Sequence, residues 1–326
     1  MNVTVLGSGA WGTALAIELN AAGHNVIVWG HNPTHVREIN QSRANARYLP
    51  GITLNAAIEF TADLQNAIAD SQFIVMATPS KAMRETAAKL NSFSGTIVSV
   101  SKGIEHDTGL TMAQILQQQL PESRVAVLSG PTFAPEVARG MPSAAVAASA
   151  SEEAASLTQE VFHRPAFRVY TNRDIIGVEL GGALKNVIAI AAGMCDGLGF
   201  GDNSKAALVT RALAEMSRVG VACGAKARTF SGLSGLGDLT VTCFSPQSRN
   251  RALGERIGKG EKIADILPTL SAVAEGYPNA KSAAQLVAKL QIDAPIIRQV
   301  HAILYENKPP LEALHALVTR DSKSED

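Results

Sequence analysis

A chain of 326 residues with 46% hydrophobic side chains has material for two domains of ordinary size, each with its own core. Lysine plus arginine and aspartate plus glutamate both number 29, so no overall field draws the chain to nucleic acid or an anionic membrane, and any anion selectivity must be local. No stretch approaches about 18 uninterrupted apolar residues and no basic segment leads into one, so neither export nor membrane insertion is expected; Cys195, Cys223 and Cys243, without CxxC spacing, read as buried reduced thiols of a cytoplasmic protein.

Val3–Leu6 reads as a strand that runs into Gly7-Ser8-Gly9-Ala10-Trp11-Gly12 and then into an apolar helix stopped by Gly23. That order suits a dinucleotide pyrophosphate. Gly7 permits the tight turn, Gly9 lets the backbone approach phosphate, and Gly12 lets the helix lie close to its strand, while the helix N-terminus offers free N–H donors and a positive dipole.

Further along, Val26–Trp29, Phe73–Ala77, Thr96–Val100 and Val125–Leu128 read as strands, with helices over Ala82–Leu90 and Thr111–Gln119 among the segments between them. Ser143–Ala148 and Phe167–Tyr170 extend the same sheet, with a helix over Glu152–Val161. The alternation predicts an α/β fold, a doubly wound and mainly parallel sheet of the Rossmann type, over residues 1–173. From Asp174 the period changes: Ile175–Met194, Ser204–Cys223, Gln247–Ile257 and Ala280–Lys289 read as helices, with no strand among them. We therefore expect an all-helical substrate and catalytic domain over residues 174–318, and a disordered charged tail over 319–326.

In open parallel sheets, ligands lie beyond the carboxyl ends of the strands. The residues there are small or polar: Thr78-Pro79-Ser80, Ser101-Lys102-Gly103 and Ser129-Gly130-Pro131-Thr132-Phe133-Ala134. After the second strand comes Trp29-Gly30-His31-Asn32, with no carboxylate where an adenosine ribose hydroxyl would be held. His31, Arg37 and either Arg43 or Arg47 can meet a 2′-phosphate instead. NADP(H) or NAD(H) is thus expected, NADP(H) being favoured. His31 and His35 at i, i+4 lack a third metal ligand and read as surface histidines at a helix start; no metal is expected.

In the second half, Gly181-Gly182-Ala183-Leu184-Lys185-Asn186 sets two glycines, a lysine and an asparagine inside an apolar helix. Each glycine costs a helix about 1 kcal/mol relative to alanine, so the pair implies close approach by a ligand or another backbone. Burial of Lys185 would disfavour its ammonium form, as a proton-transferring lysine near neutral pH requires; the alternative is a lysine snorkelling to solvent. Ser231–Asp238 reads as a glycine-rich loop ending in an acid. Ser248, Arg249 and Asn250 stand in the first turn of a helix and together suit a dianion, against the plainer reading of a capped helix start.

Taken together, Gly7–Gly12, Ser101–Gly103, Ser129–Ala134, Gly181–Asn186, Gly235–Asp238 and Gln247–Arg251 resemble the bacterial type of NAD(P)-dependent glycerol-3-phosphate dehydrogenase, over nearly the whole chain. The resemblance implies reversible hydride transfer between NAD(P)H and dihydroxyacetone phosphate, giving sn-glycerol 3-phosphate for phospholipid synthesis. It makes Lys185 the proton donor in reduction and places Lys102 near both cofactor and substrate. It further implies that Gly130, Thr132, Asp238, Ser248, Arg249 and Asn250 line the substrate pocket, and that Ala10, Trp11, His31, Ala134, Arg249, Val273 and Glu275 touch the cofactor. Val273–Tyr277 alone reads as a loop before a helix. Rival readings are a dehydrogenase of the 6-phosphogluconate or hydroxyacyl type and a non-catalytic NADP(H) sensor. The hydroxyacyl type relies on a His–Glu pair, and beyond residue 174 only His301 and His315 occur, neither beside a carboxylate cluster. The apolar helical half leaves open whether it covers a homodimer interface or only its own core.

Overall fold

The computed structural model describes residues 1–90, 93–270, 274–321 and 324. Its first half builds one eight-stranded sheet in the order β3-β2-β1-β4-β5-β6-β7-β8. The strands are β1 (Asn2–Leu6), β2 (Asn25–Trp29), β3 (Ile58–Thr61), β4 (Phe73–Met76), β5 (Thr96–Ser99), β6 (Arg124–Ser129), β7 (Ser143–Ala148) and β8 (Phe167–Asn172). Pairing is parallel throughout except between β6 and β7. Around the sheet lie α1 (Ala10–Ala21), α2 (Pro33–Ser42), α3 (Leu64–Ile68), α4 (Met83–Ala87), α5 (Met112–Gln119), α6 (Ala134–Ala138) and α7 (Glu152–Phe162).

Both faces of the sheet are covered, which is why its strands read as nearly unbroken apolar runs. Val3, Val5, Val28, Val75 and Val98 belong to the core on one face. Leu6, Ile74, Met76, Ile97 and Val127 belong to the core on the other. The strand β3 is an addition to the elements expected from sequence. It is a four-residue edge strand in which Ile58 and Phe60 are buried and Glu59 is exposed, too short for its alternation to stand out.

Strand order reverses on either side of β1, so a crevice opens at its carboxyl end, between it and β4. Gly7 sits there with φ +130°, and a Cβ on it would lie 2.5 Å from the Ala77 carbonyl oxygen. Only glycine fits. A Cβ on Gly12 would lie 1.9 Å from the Gly7 carbonyl oxygen, so the helix α1 lies directly on the turn.

The remaining elements are helical: α8 (Ile175–Gly197), α9 (Asp202–Ala222), α10 (Asp238–Phe244), α11 (Arg249–Gly258), α12 (Ile263–Ile266), α13 (Gly276–Lys289), α14 (Pro295–Tyr305) and α15 (Pro310–Val318). By length and composition α8 could cross a membrane, but 83% of its most apolar window is buried inside the molecule, where it forms the axis of the helical half. The segment expected as a loop over 231–238 is in part helical: Leu233–Gly237 makes one wide helical turn, and Asp238 opens α10. Of the expected tail, 322, 323, 325 and 326 lie outside the described residues, whereas Thr319 and Arg320 are tied down, to the His315 carbonyl at 2.7 Å and to Asp293 at 3.0 Å. Of the thiols only Cys243 is fully buried; Cys195 and Cys223 are half-buried.

The closest packing in the helical half is backbone against backbone. Gly193 and Gly197 on α8 face Gly254 and Gly258 on α11, and a Cβ on Gly254 would lie 1.9 Å from the Ile190 carbonyl oxygen. This contact fixes where α11 begins relative to α8. Gly254→Ala is expected to destabilise the protein by about 1–3 kcal/mol, the usual cost of overpacking, read as a lowered thermal midpoint. A midpoint equal to wild type would mean that the two helices slide without cost.

Candidate active site

The cleft lies between the carboxyl edge of the sheet and the helical half, and several side-chain contacts cross it. Lys102, after β5, reaches Asp238 on α10 at 2.6 Å. Ser80, after β4, donates to Glu275 at 2.8 Å. Asn279 on α13 donates to the Lys102 carbonyl at 3.1 Å and to the Ala183 carbonyl on α8 at 3.3 Å. Gln247 donates to Glu136 on α6 at 2.6 Å.

At the centre, Lys185 is buried, and its ammonium donates to Asp238 Oδ1 and to Thr242 Oγ1, both at 2.7 Å. Asp238 Oδ2 takes the Lys102 ammonium, which also donates to the Gly130 carbonyl at 3.1 Å. One carboxylate therefore holds two ammonium groups. Burial pushes Lys185 down from the ordinary lysine range to about 8, helped by the Lys102 charge and opposed by Asp238. The snorkelling alternative is thereby corrected: the ammonium is turned onto Asp238 and Thr242 rather than out to solvent, and the side chain keeps only 8% of its surface exposed.

The adjacent glycines are explained by the same packing. A Cβ on Gly181 would lie 2.6 Å from the Ser234 carbonyl oxygen, and one on Gly182 would lie 2.7 Å from Ser129 Oγ and 3.3 Å from Lys102 Cγ. Gly181 admits the wide turn that carries α10, and Gly182 admits Lys102. Gly181 thus meets another backbone, one of the two expected alternatives, whereas Gly182 makes room for side chains, which neither alternative had.

The segment at the start of α11 divides into two kinds of residue. Ser248 is buried and its hydroxyl caps the helix, accepting the Arg251 N–H at 3.2 Å. Asn250 is buried and fastened on both sides, donating to Asn186 Oδ1 at 2.9 Å and accepting the Gly276 N–H at 2.9 Å. Arg249 is exposed yet has protein around it: burial lowers its pKa and Glu275 opposes this. An accessible guanidinium walled by protein is the mark of a residue lining an open cleft. Glu275, half-buried at the start of α13, is raised by burial, with Ser80 and Arg249 holding it back. In the loop after β6, the Thr132 hydroxyl donates to the Gly130 carbonyl at 3.2 Å, the same carbonyl that Lys102 reaches.

At the other end of the cleft is the glycine turn. Gly9 caps α1 without a side-chain hydrogen bond, and a Cβ there would meet nothing within 4 Å, so the N–H donors of the first turn face open space. The Trp11 Nε1 and Thr78 Oγ1 atoms are shielded from solvent and, among the described residues, have no hydrogen-bond partner. Donors of this kind around an uncapped helix start fit the pyrophosphate and amide of a dinucleotide. Ala10 and Ala134 open α1 and α6 beside this region. Val273 lies outside the described residues.

Beyond β2, Asn32 caps α2, accepting from the Thr34 and His35 N–H groups at 3.0 and 3.2 Å. His31 and Arg37 are exposed there. Arg43 is spent elsewhere, on the carbonyls of Asn55 and Ile58, so of the two arginines offered as alternatives only Arg47 is left. His35 is not a surface histidine as expected: it is buried and bonded to Asn45 at 3.1 Å, and Asn45 in turn holds the Ser8 carbonyl and Thr13.

Sequence reasoning missed Thr242 and Asn279; Ser80 stood in the loop expected to line the cleft, but its partner Glu275 was not foreseen. Thr242 stands four residues after Asp238, a signal that becomes visible only once 238–244 is known to be helical. Asn279 carries no local signal at all.

Two family models match the chain: the N-terminus of NAD-dependent glycerol-3-phosphate dehydrogenase over residues 2–155 and its C-terminus over residues 174–315. The chain is 48% identical over 331 residues to a glycerol-3-phosphate dehydrogenase [NAD(P)+] of Chlorobium phaeobacteroides (strain BS1), with 100% of this chain and 99% of that protein covered. It is 48% identical over 329 residues to the protein of the same name from Geobacter metallireducens, covering 99% and 98%. Among solved structures, glycerol-3-phosphate dehydrogenase from Coxiella burnetii superposes with a TM-score of 0.95 at 36% identity, covering 98% of this chain and 99% of that one. The chain belongs to the NAD-dependent glycerol-3-phosphate dehydrogenase family.

Proposed function

We propose that the chain catalyses the reversible NAD(P)H-dependent reduction of dihydroxyacetone phosphate to sn-glycerol 3-phosphate, supplying phospholipid synthesis, with Lys185 as proton donor. The observation that carries the assignment of Lys185 is its buried ammonium, held at 2.7 Å by a carboxylate that also holds Lys102. Bound NAD(P)H supplies the hydride. Lys185 gives its proton to the carbonyl oxygen as negative charge develops there, and a cation in a water-poor site stabilises that charge. Asp238 fixes the direction of the ammonium, and Lys102 adds a second positive charge beside the same oxygen. In oxidation the neutral amine accepts the proton.

Gly130, Thr132 and Arg249 complete the substrate side in this reading, with Ser248 and Asn250 holding the first turn of α11 in place. Gly7, Gly9, Ala10, Trp11, Gly12, Ala134 and Glu275 form the cofactor side, and the same reading divides the chain into domains near residue 174. Three free cysteines and a phosphorylated metabolite as substrate accord with a cytoplasmic enzyme. The test is oxidation of NADPH or NADH followed by absorbance, with dihydroxyacetone phosphate as substrate and unphosphorylated dihydroxyacetone as control. Turnover of the phosphate ester alone is expected; equal turnover of both ketones would remove the phosphate receptor from the scheme.

Arg249 is assigned to the phosphate end. Arg249→Ala is expected to raise KM for dihydroxyacetone phosphate by about 10-fold or more, the loss of one charge-assisted pair, with kcat much less affected. If KM stays at its wild-type value, the anchor lies elsewhere.

NADP(H) is proposed as the preferred cofactor, because His31, Arg37 and Arg47 can meet a 2′-phosphate and no carboxylate follows β2 to repel it. The paired substitution His31→Ala, Arg37→Ala is expected to lower kcat/KM for NADPH about 10-fold or more while leaving NADH nearly untouched. Equal losses with both cofactors would place these side chains away from the adenosine end.

A further inference from the structure

On the side of the helical half formed by α13 and α14 lies an open cleft of about 630 Å³, walled by these two helices and by the loop that carries His106. Its floor is made of small residues: Ala284 and Ala288 on α13 and Ala302 on α14 leave the two helix faces apart. Its rim is basic. Lys281, Arg298 and Lys308 supply three permanent cations against the single carboxylate of Glu306, and the rings of His106 and His301 stand among them.

These cations are only partly used within the protein. Lys281 is exposed and, among the described residues, has no hydrogen bond or ion pair. Arg298 gives one hydrogen bond to the Ile292 carbonyl at 2.7 Å, and Lys308 gives one to Gln299 at 2.7 Å. The one acid on the rim, Glu306, lies 3.1 Å from His301 Nδ1. His106 faces Asp107 at 3.2 Å through Nε2, while its Nδ1 is shielded from solvent and lacks a partner among the described residues. A concave surface with unspent donors and a net positive rim selects a compact anion.

We propose that this cleft is a second anion site, separate from the active site, that takes a small phosphate-bearing ligand through Lys281, Arg298 and Lys308. The cleft is larger than bare phosphate requires, so an ester fits as well as the inorganic ion. Its wall is continuous with the active site: the loop leading to His106 begins at Lys102, Gln285 on α13 accepts the Asp107 N–H at 3.2 Å, and Asn279 on the same helix holds the Lys102 carbonyl.

Equilibrium dialysis of the full chain with radiolabelled inorganic phosphate, and in a second arm with sn-glycerol 3-phosphate, tests this. Wild type is expected to take up two equivalents, one at each site. The paired substitution Lys281→Ala, Arg298→Ala removes one of them, weakening it roughly 10-fold or more, while kcat for dihydroxyacetone phosphate is unchanged. Arg249→Ala removes the other. Tighter binding of the ester than of the ion at the equivalent that survives Arg249→Ala identifies the cleft as an ester site, and the reverse order identifies it as an inorganic phosphate site. The proposal is overturned if the Lys281, Arg298 double variant binds as wild type does, or if Arg249→Ala alone abolishes all uptake. Survival of both equivalents in Arg249→Ala would count instead against the phosphate anchor proposed for the active site.

Discussion

Lys185→Met lowers kcat for dihydroxyacetone phosphate reduction by about 10²–10⁴-fold, the range a positioned proton donor contributes, and leaves the dissociation constant for NADPH unchanged. Methionine keeps the length and apolar stem of the side chain, so the core around α8 stays filled. Asp238 keeps Lys102 as its partner at 2.6 Å, and no buried carboxylate is orphaned. The loss is therefore chemical rather than structural. The wild-type pH profile carries the same assignment. Lys185 titrates at about 8, so reduction, which needs the ammonium, holds steady below that value and falls above it, whereas oxidation, which needs the amine, rises through it. A methionine variant that retained a tenth of wild-type turnover, with NADPH bound normally, would transfer proton donation to another group.

Much of this site can be read from sequence, and the parts that cannot have physical reasons. The glycine turn is legible because Gly7 and Gly12 are demanded by backbone contacts within a dozen residues of each other, so the requirement and the residues that meet it lie together. The loops after β4, β5 and β6 are legible because a parallel sheet sends all its carboxyl ends to one edge. Lys185 stands out for being charged in an apolar helix. What pairs with it does not, because Asp238 lies 53 residues away and reaches it only through the crossing of α8 and α10. The roles of Ser248 and Asn250 look alike in sequence to that of Arg249, yet the first two turn inward as cap and fastening while the third faces the cleft. His35 misleads for the converse reason: α2 turns it inward onto Asn45, a polar residue whose position no local pattern reveals.

Asp238→Asn is the more discriminating substitution, because it keeps the shape of the side chain while removing its charge and leaving one acceptor oxygen where the wild type offers two. In the wild type the carboxylate is what holds the Lys185 proton on against burial and against the neighbouring Lys102 charge. Without it, two ammonium groups face each other with no anion between them. Keeping a buried charge unpaired costs about 3–5 kcal/mol, whereas moving a proton off a group that titrates near the ambient pH costs about 1.4 kcal/mol per pH unit. The cheaper response is for Lys185 to become neutral. Its pKa then falls below about 8 by roughly 1 unit or more, the effect of losing an adjacent opposite charge. Reduction at neutral pH drops about 10²-fold, since the donor is deprotonated and misdirected, and the midpoints of the reduction and oxidation profiles both move to lower pH. The parallel movement of both midpoints distinguishes an altered Lys185 from a fold merely loosened, which would lower rates at every pH without shifting either. Profiles with unmoved midpoints would mean that Asp238 does not set the charge of Lys185, and the ion pair would then be structural.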